Sequence, residues 1–484
     1  MPARMTYKEP AREIPVMGEY DVVVCGGGPA GCAAALSAAR NGADTLLVEK
    51  NGCLGGAAVS QLVCVILSSN GQDFQGIWHE YALRLREQKG LSGPFRDNQG
   101  ACRGSVDPER VKFVWDDMLA EAGVNLLHHA YAVAAMTEES DAGTEIPRAK
   151  GIIAQKRAGR QAIPARRVID ATGDGIVCAQ AGVPWECGDA DGRPWAMACT
   201  TVFRMGNVNW PENHPDSRRM ERFAADLEAA VKRNEYETPV VIEMKRMLNY
   251  VRGKHWLMPE QRAGEYLSVM SRVLRVDPLD PFDFTRATRE GREQARQCAD
   301  ALRRFAPGFE NAYLLDTASQ IGLRSSRRIR GMETVTAEDV VKLNSYADGI
   351  ARGSFSVDVW PADSYSRPAG DAGGEDAFRQ FGMTREQRSR RIAAGECYDI
   401  RYGALVARGM DNLMMAGRCI CAEHHAEASL RIQQTCMSTG QAAGTAAALS
   451  LQKKVVPRLL DPEIVVGQLE SDRGMQPKLE IKQN

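Results

Sequence analysis

Tyr20-Asp21-Val22-Val23-Val24-Cys25-Gly26-Gly27-Gly28-Pro29-Ala30-Gly31 joins a short β-branched run to glycines spaced G-x-G-x-x-G. The run reads as a buried parallel strand, and Ala33 to Arg40 beyond it is rich in helix formers, so the glycines lie on a strand-to-helix turn. Gly26 permits the tight turn, Gly28 lets the backbone approach a pyrophosphate, and Gly31 lets the helix pack close to the strand. Unpaired N–H groups at the helix start, together with the helix dipole, attract phosphate. Leu46-Leu47-Val48 reads as the second strand and ends at Glu49, eighteen residues past Gly31. A carboxylate there is placed to accept both hydroxyls of an adenosine ribose, which disfavours a 2′-phosphorylated nucleotide. A dinucleotide is therefore expected at this first unit.

Composition narrows the rest. At 484 residues, with 44% hydrophobic and 25% charged positions, the chain is long enough for two or three domains and a large core. Sixty-one basic residues nearly balance sixty-two acidic ones, so no global field recruits nucleic acid or an anionic membrane. Thirteen scattered cysteines include no C-x-x-C, the closest approach being Cys419-Ile420-Cys421, which disfavours a disulfide framework and an iron–sulfur cluster. No metal ligand set is expected. No run approaches the roughly 20 apolar residues of a bilayer span, and the charged start of the chain lacks an apolar segment, so a cytoplasmic location is expected.

No fixed-period repeat is visible, and the chain divides by character. After an extension over residues 1–18, a first block covers 19–188. In it Asp107-Pro108 opens a helix over Glu109 to Ala122, Val124 to His128 and Tyr131 to Met136 read as strands, and Gly151 to Ile163 reads as a hairpin turning near Gly159. Residues 189–396 carry amphipathic helices, Ser217 to Asn234 and Thr285 to Phe305, and a proline- and glycine-rich surface loop from Trp360 to Asp376. Strand character returns at Ile400 to Ala407 and Asn412 to Gly417, and Gly440 to Gln452 reads as a small-residue helix. Residues 397–455 thus close the nucleotide domain, leaving 456–484 as a tail.

Two further segments carry cofactor signals. Asp170-Ala171-Thr172-Gly173-Asp174-Gly175 follows a strand, and an acidic residue on such a turn can reach a ribityl hydroxyl. Alone, this string also fits an ordinary Asx turn. Asn412 to Gly417, Arg418 and the segment Thr439-Gly440-Gln441-Ala442-Ala443-Gly444 offer a helix start and a flat small-residue face, suited to the pyrimidine edge of an isoalloxazine.

Together Tyr20 to Gly31 with Glu49-Lys50 and Leu54-Gly55-Gly56, Val168 to Gly182, Ile321 to Gly331, and Asn412 to Ala448 resemble the FAD-dependent oxidoreductase family of the glutathione-reductase-type superfamily. The resemblance implies an α/β fold, a Rossmann-like FAD-binding domain with an inserted α+β substrate or cap domain. It implies FAD as cofactor, contacted at Gly26, Gly28, Pro29, Ala30, Gly31, Glu49, Lys50, Gly55, Gly56, Ala171, Gly173, Asp174, Gly417 and Arg418. It further implies a backbone contact to adenine near Val133 and a pyrimidine edge near Gly440, Gln441 and Ala442. Cluster-binding cysteines of related branches are missing, as is a second dinucleotide fingerprint.

Flavin oxidation of a C–H bond beside oxygen or nitrogen benefits from a base for the accompanying proton. His424 stands where the resemblance places a histidine, and its ordinary pKa of about 6.5 suits that role. The alternative is a histidine that orients a loop or bonds the cofactor. Arg324, Arg327, Arg328 and Arg330 crowd into seven residues, and a buried guanidinium among them needs an anionic partner, a carboxylate substrate included. Arg324 is the substrate-facing candidate, with Arg431 and Glu427 on the loop after His424 as further ones. His128, His129, Cys53 and Cys419 read as structural.

The expected reaction is hydride transfer from a small polar substrate, an alcohol, sugar, hydroxy acid or amine, to FAD, with reoxidation by dioxygen or a separate carrier. The alternatives are a reductase or hydroxylase using NAD(P)H and a flavoprotein partner in tRNA modification. A hydroxylase is weakened because Gly175-Ile176-Val177-Cys178 follows Asp174, and the tRNA reading lacks a basic stripe. The expected partners are a substrate and an electron acceptor, with homo-oligomer formation open and neither nucleic acid nor membrane involved.

Overall fold

A computed structural model of the chain describes residues 7–68, 76–96, 102–138, 146–189, 192–195, 197–209, 217–236, 240, 262–363, 375–474 and 482–483. Strand β1 (Tyr20–Cys25), helix α1 (Pro29–Arg40) and strand β2 (Thr45–Val48) form the opening unit. Helices α2 (Ile77–Glu87) and α3 (Pro108–Glu121) follow, then strand β3 (Asn125–Leu127). The start of α3 follows from its chemistry: the Asp107 carboxylate accepts the Glu109 N–H at 2.9 Å, and Pro108 occupies the first turn, where its missing N–H would have had no partner. Strands β4 (Tyr131–Glu138), β5 (Arg148–Lys156) and β6 (Gly159–Asp170) make an antiparallel meander that turns at Arg157-Ala158.

A second group of elements comprises β7 (Phe203–Gly206), β8 (Tyr266–Ser268), the 25-residue helix α4 (Pro281–Phe305) capped by Asp280, and β9 (Tyr313–Thr317). Here β7 lies between β8 and β9 in an antiparallel sheet. The helix expected over Ser217 to Asn234 runs Ser217–Lys232. Strands β10 (Gly349–Gly353) and β11 (Tyr398–Arg401) pair antiparallel, and β12 (Leu413–Met415), α5 (His424–Leu430) and α6 (Gln433–Gln452) follow. The strand expected from Ile400 to Ala407 ends early. Tyr402–Leu405 coils into a 3-10 turn, with the Tyr402 hydroxyl donating to the Pro457 carbonyl and Gly403 seated against Glu333. Of the expected loop from Trp360 to Asp376, residues 364–374 lie outside the described residues.

The main sheet has the order β3-β2-β1-β6-β5-β4, with β12 added beside β6. Its central strands are parallel: Val24 pairs with Leu47 on one side and with Ile169 on the other, and Ile169 pairs with Met414. Val22 to Cys25 are fully buried, as a strand covered on both faces must be. Helix α1 is buried at nine consecutive positions, Ala30 to Ala38, because it lies against the sheet and against α6. Only small side chains allow two such helices to approach so closely. The Ser37 and Thr445 hydroxyls hydrogen-bond across the contact at 2.7 Å.

Candidate active site

The three turns singled out in the sequence meet at the carboxyl ends of β1, β6 and β12. Gly26 has φ +103°, and a Cβ there would stand 2.5 Å from the Ala171 carbonyl oxygen, while a Cβ on Gly31 would stand 1.7 Å from the Gly26 oxygen. These two glycines are required by the fold itself. Gly28 differs: a Cβ there would meet only the Gly56 Cα, at 3.9 Å. The space above Gly28 faces the first turn of α1, which has no side-chain cap and no acidic residue, and where Pro29 leaves the following N–H groups of Ala30 and Gly31 for an anion. This is the form of a pyrophosphate cradle.

The surrounding loop is tied to that cradle. Gly55 N–H donates to the Gly27 carbonyl at 2.9 Å, and Gly56 packs against Gly28. Glu49 is buried, and its two oxygens accept N–H bonds from Gly27 at 2.6 Å and Asn51 at 2.7 Å. A carboxylate so held keeps further lone pairs for ribose hydroxyls. Val133 sits at an irregularity of β4, where the register to β5 shifts between Ala132 and Ala134. The extra residue of such a bulge has no directly opposed partner in the ladder.

On the neighbouring turn, Ala171 N–H donates to the Cys25 carbonyl, and buried Asp170 shapes the loop by accepting from Thr172 and Cys178. Asp174 receives the Arg418 guanidinium and the Ser326 hydroxyl on Oδ1, each at 2.7 Å. Burial alone would raise its pKa, but the Arg418 charge, the Ser326 bond and nearby Lys50 hold it below the ordinary carboxylate value. Lys50 is itself exposed. Gly173 lies against the Arg418 guanidinium, and Gly417 N–H donates to the Thr439 hydroxyl, which joins β12 to α6.

Helix α6 begins at Gln433, seven residues before the start expected at Gly440. Gly440, Gln441 and Ala442 therefore lie two turns inside it. Gly440 packs on the Ala30 backbone, the Gln441 side-chain oxygen accepts the Ile77 N–H at 2.9 Å, and Ala442 is fully buried. The residues at the helix start are Gln433, Gln434 and Thr435. Gln434 Nε2 and Thr435 Oγ1 are buried without a hydrogen-bond partner among the described residues. Nothing in the run Ile432-Gln433-Gln434 resembles a capping signal, which is why composition placed the start too late.

His424, Glu427 and Arg431 lie not on a loop but on α5 and its carboxyl cap, at spacings that share one helical face. Burial, then the Arg328 charge, then His425, push His424 down to about 3, so its ring is neutral at physiological pH. Arg431 donates to the Asp358 backbone oxygen at 3.1 Å and to its carboxylate at 3.2 Å. Glu427 and Arg328 form an ion pair at 3.2 Å, with side chains 0% and 6% exposed. The buried arginine expected in the cluster is thus Arg328, and its anionic partner is Glu427. Arg324 binds the Ala198 carbonyl at 2.6 Å and the Thr200 hydroxyl at 2.9 Å, and its guanidinium lies 4.3 Å from the Trp360 ring centre. Each member of the α5 face has one buried polar atom without a partner among the described residues: His424 Nδ1, Glu427 Oε1 and Arg431 Nε.

No disulfide joins the described cysteines, and the described residues contain no group of His, Cys, Asp and Glu that could hold a metal ion. No helix among them is long and apolar enough to cross a membrane.

A family model described as FAD dependent oxidoreductase matches residues 21–469. Among curated proteins, a dihydrolipoyl dehydrogenase of Trypanosoma brucei brucei is 51% identical over 49 residues, 10% of each chain. The mitochondrial dihydrolipoyl dehydrogenase of Schizosaccharomyces pombe is 37% identical over 78 residues, 16% of this chain and 15% of its own. These matches span only a small part of the curated relatives. Similar solved structures include a geranylgeranyl bacteriochlorophyll reductase-like protein from Thermoplasma acidophilum, with TM-score 0.42 at 13% identity over 94% of this chain and 82% of its own. Another is a flavin-dependent brominase, with TM-score 0.43 at 11% identity over 94% and 83%. The family assignment rests on the family model alone.

Proposed function

The chain belongs to the FAD dependent oxidoreductase family, and from that premise we propose that it oxidises a C–H bond next to oxygen or nitrogen in a small polar substrate. Its cofactor is FAD, which supplies a two-electron acceptor for the hydride. The residues that would hold it are the Gly26 to Gly31 turn, Glu49, the Asp174–Arg418 pair, and the α6 start at Gln434 and Thr435. In this reading residues 19–188 and 397–455 carry the cofactor, and residues 189–396 bring the substrate. Dioxygen or a separate carrier takes the electrons onward.

The observation that carries this reading is the α5 face. His424 and Glu427 on a helix of seven residues and Arg431 at its carboxyl cap stand on one side, directly before the start of α6, each with a buried polar atom that has no partner among the described residues. A neutral imidazole, a carboxyl group and a guanidinium together can orient a hydroxyl or amine, take its proton and anchor a carboxylate. Asp358 holds Arg431 and also accepts the Trp360 indole N–H, so the substrate-side segment positions this cation.

Anaerobic reduction of the bound flavin by a panel of alcohols, sugars, hydroxy acids and amines tests the reading. Bleaching by one of these classes supports it. Bleaching by NAD(P)H alone overturns it in favour of a reductase or hydroxylase.

A further inference from the structure

We infer that Glu427 is the proton acceptor of the reaction, held in place through one carboxylate oxygen and working with the other. This deepens the dehydrogenase reading and rests on it.

The geometry is asymmetric. Glu427 Oε2 accepts the Ser325 hydroxyl at 2.6 Å and the Arg328 guanidinium at 3.2 Å. Arg328 is itself fixed, because both of its terminal nitrogens donate to the Gly188 carbonyl at 3.1 Å. A guanidinium can engage both oxygens of a carboxylate in a two-pronged pair. Here both bonds fall on Oε2, and Oε1 has no partner among the described residues although the side chain is fully buried. Leaving a buried carboxylate oxygen unmatched is unfavourable unless another group completes it.

The charged and polar groups around Glu427 include Arg328, Arg418 and Arg431, with Ser325 and the Cys187 thiol. Burial raises the Glu427 pKa, and the arginines and Ser325 pull it back without overcoming burial. A base needs that tuning toward neutrality, whereas His424 is driven the other way. His424, one turn earlier on the same face, is then left to orient the substrate through Nδ1.

The step balances as follows. The substrate O–H or N–H bond breaks and its proton joins Glu427 Oε1. The adjacent C–H hydrogen would leave with its electron pair, for which FAD, when bound, would supply the two-electron acceptor. The substrate becomes a carbonyl compound or an imine.

Stopped-flow reduction of the holoprotein by a donor from the panel tests the assignment across pH. Glu427→Gln should slow reduction about 10²-fold or more and abolish the acidic limb of the profile. Ser325→Ala removes a hydrogen bond to the charged form, so the limb should move to higher pH, and Glu427→Asp should restore part of the rate. Infrared difference spectra on substrate reduction should show the carbonyl stretch of a newly protonated carboxyl, missing in Glu427→Gln. A flavin-loaded Glu427→Gln protein with wild-type rate and pH profile, or a wild-type spectrum lacking the carboxyl band, overturns the proposal. If Glu427→Gln does not retain flavin, an unmoved limb in Ser325→Ala overturns it. If no panel donor reduces the wild-type flavin, the dehydrogenase reading itself fails.

Discussion

Gly440 of α6 lies with its α-carbon against the main chain of Ala30 in α1, and a Cβ built on Gly440 would stand 2.1 Å from the Ala30 carbonyl oxygen. The helix proposed to reach the flavin and the helix proposed to cradle its phosphates are therefore in backbone contact. Gly440→Ala should push them apart and destabilise the protein by about 1–3 kcal/mol, the usual effect of overpacking. Thermal unfolding should show the loss, and flavin content should fall with it.

Gly28→Ala should behave differently. Its φ of −78° is open to any residue, and the added methyl group would touch only Gly56, at 3.9 Å. Unfolding of the apoprotein should stay within about 0.5 kcal/mol of wild type. FAD affinity should drop at least tenfold, because the methyl group stands where phosphate must approach. Loss of apoprotein stability with unchanged affinity would refute this division of labour.

The Asp174–Arg418 pair should make stability depend on acid. The folded pKa of Asp174 is lowered, so its contribution is present above the unfolded value of about 4 and disappears as pH falls through the folded value. Denaturant titrations of wild type and Asp174→Asn should differ at neutral pH and converge at low pH. A difference independent of pH would mean that Arg418 does not discriminate between the charge states.

His424→Asn should leave the pH dependence of flavin reduction unchanged between about pH 5 and 8, because a ring held at about 3 does not titrate there. Its rate should fall, since the Nδ1 contact is altered. A limb that vanishes with this substitution would identify the histidine as the titrating group.

Asp358→Asn should loosen Arg431, which donates to the Asp358 backbone and carboxylate oxygens. For a donor carrying a carboxylate, KM should rise about fivefold or more while kcat changes less, as expected when uniform binding is lost. Equal loss in both parameters would place Arg431 in the transition state instead.

What the sequence made legible was local. The glycine turn, Glu49 at the end of β2 and the Asp107-Pro108 helix start each depend on near neighbours in the chain, and each element forms where the pattern predicts. The contacts that define the reaction centre are not local. Glu427 finds Arg328 across 99 residues, and Asp174 finds Arg418 across 244. Nothing in the arginine cluster distinguishes Arg328, which turns inward to Glu427, from Arg324, which binds the Ala198 carbonyl. The true start of α6 escaped notice for a related reason. The cap position is held by Ile432, whose side chain has no capping oxygen, and that the Gln434 and Thr435 polar atoms lack partners among the described residues is evident only in the packed molecule.

The α1–α6 contact also has a temporal meaning. Ser37 meets Thr445 from 408 positions away, and β12 joins the sheet only after residues 189–396 have been made. As the chain leaves the ribosome, the small-residue face of α1 must therefore wait for the residues up to Thr445, 408 positions on from Ser37, before its partner arrives. A nascent chain in that interval carries exposed apolar surface and a sheet lacking its last strand, the condition that chaperones exist to shelter.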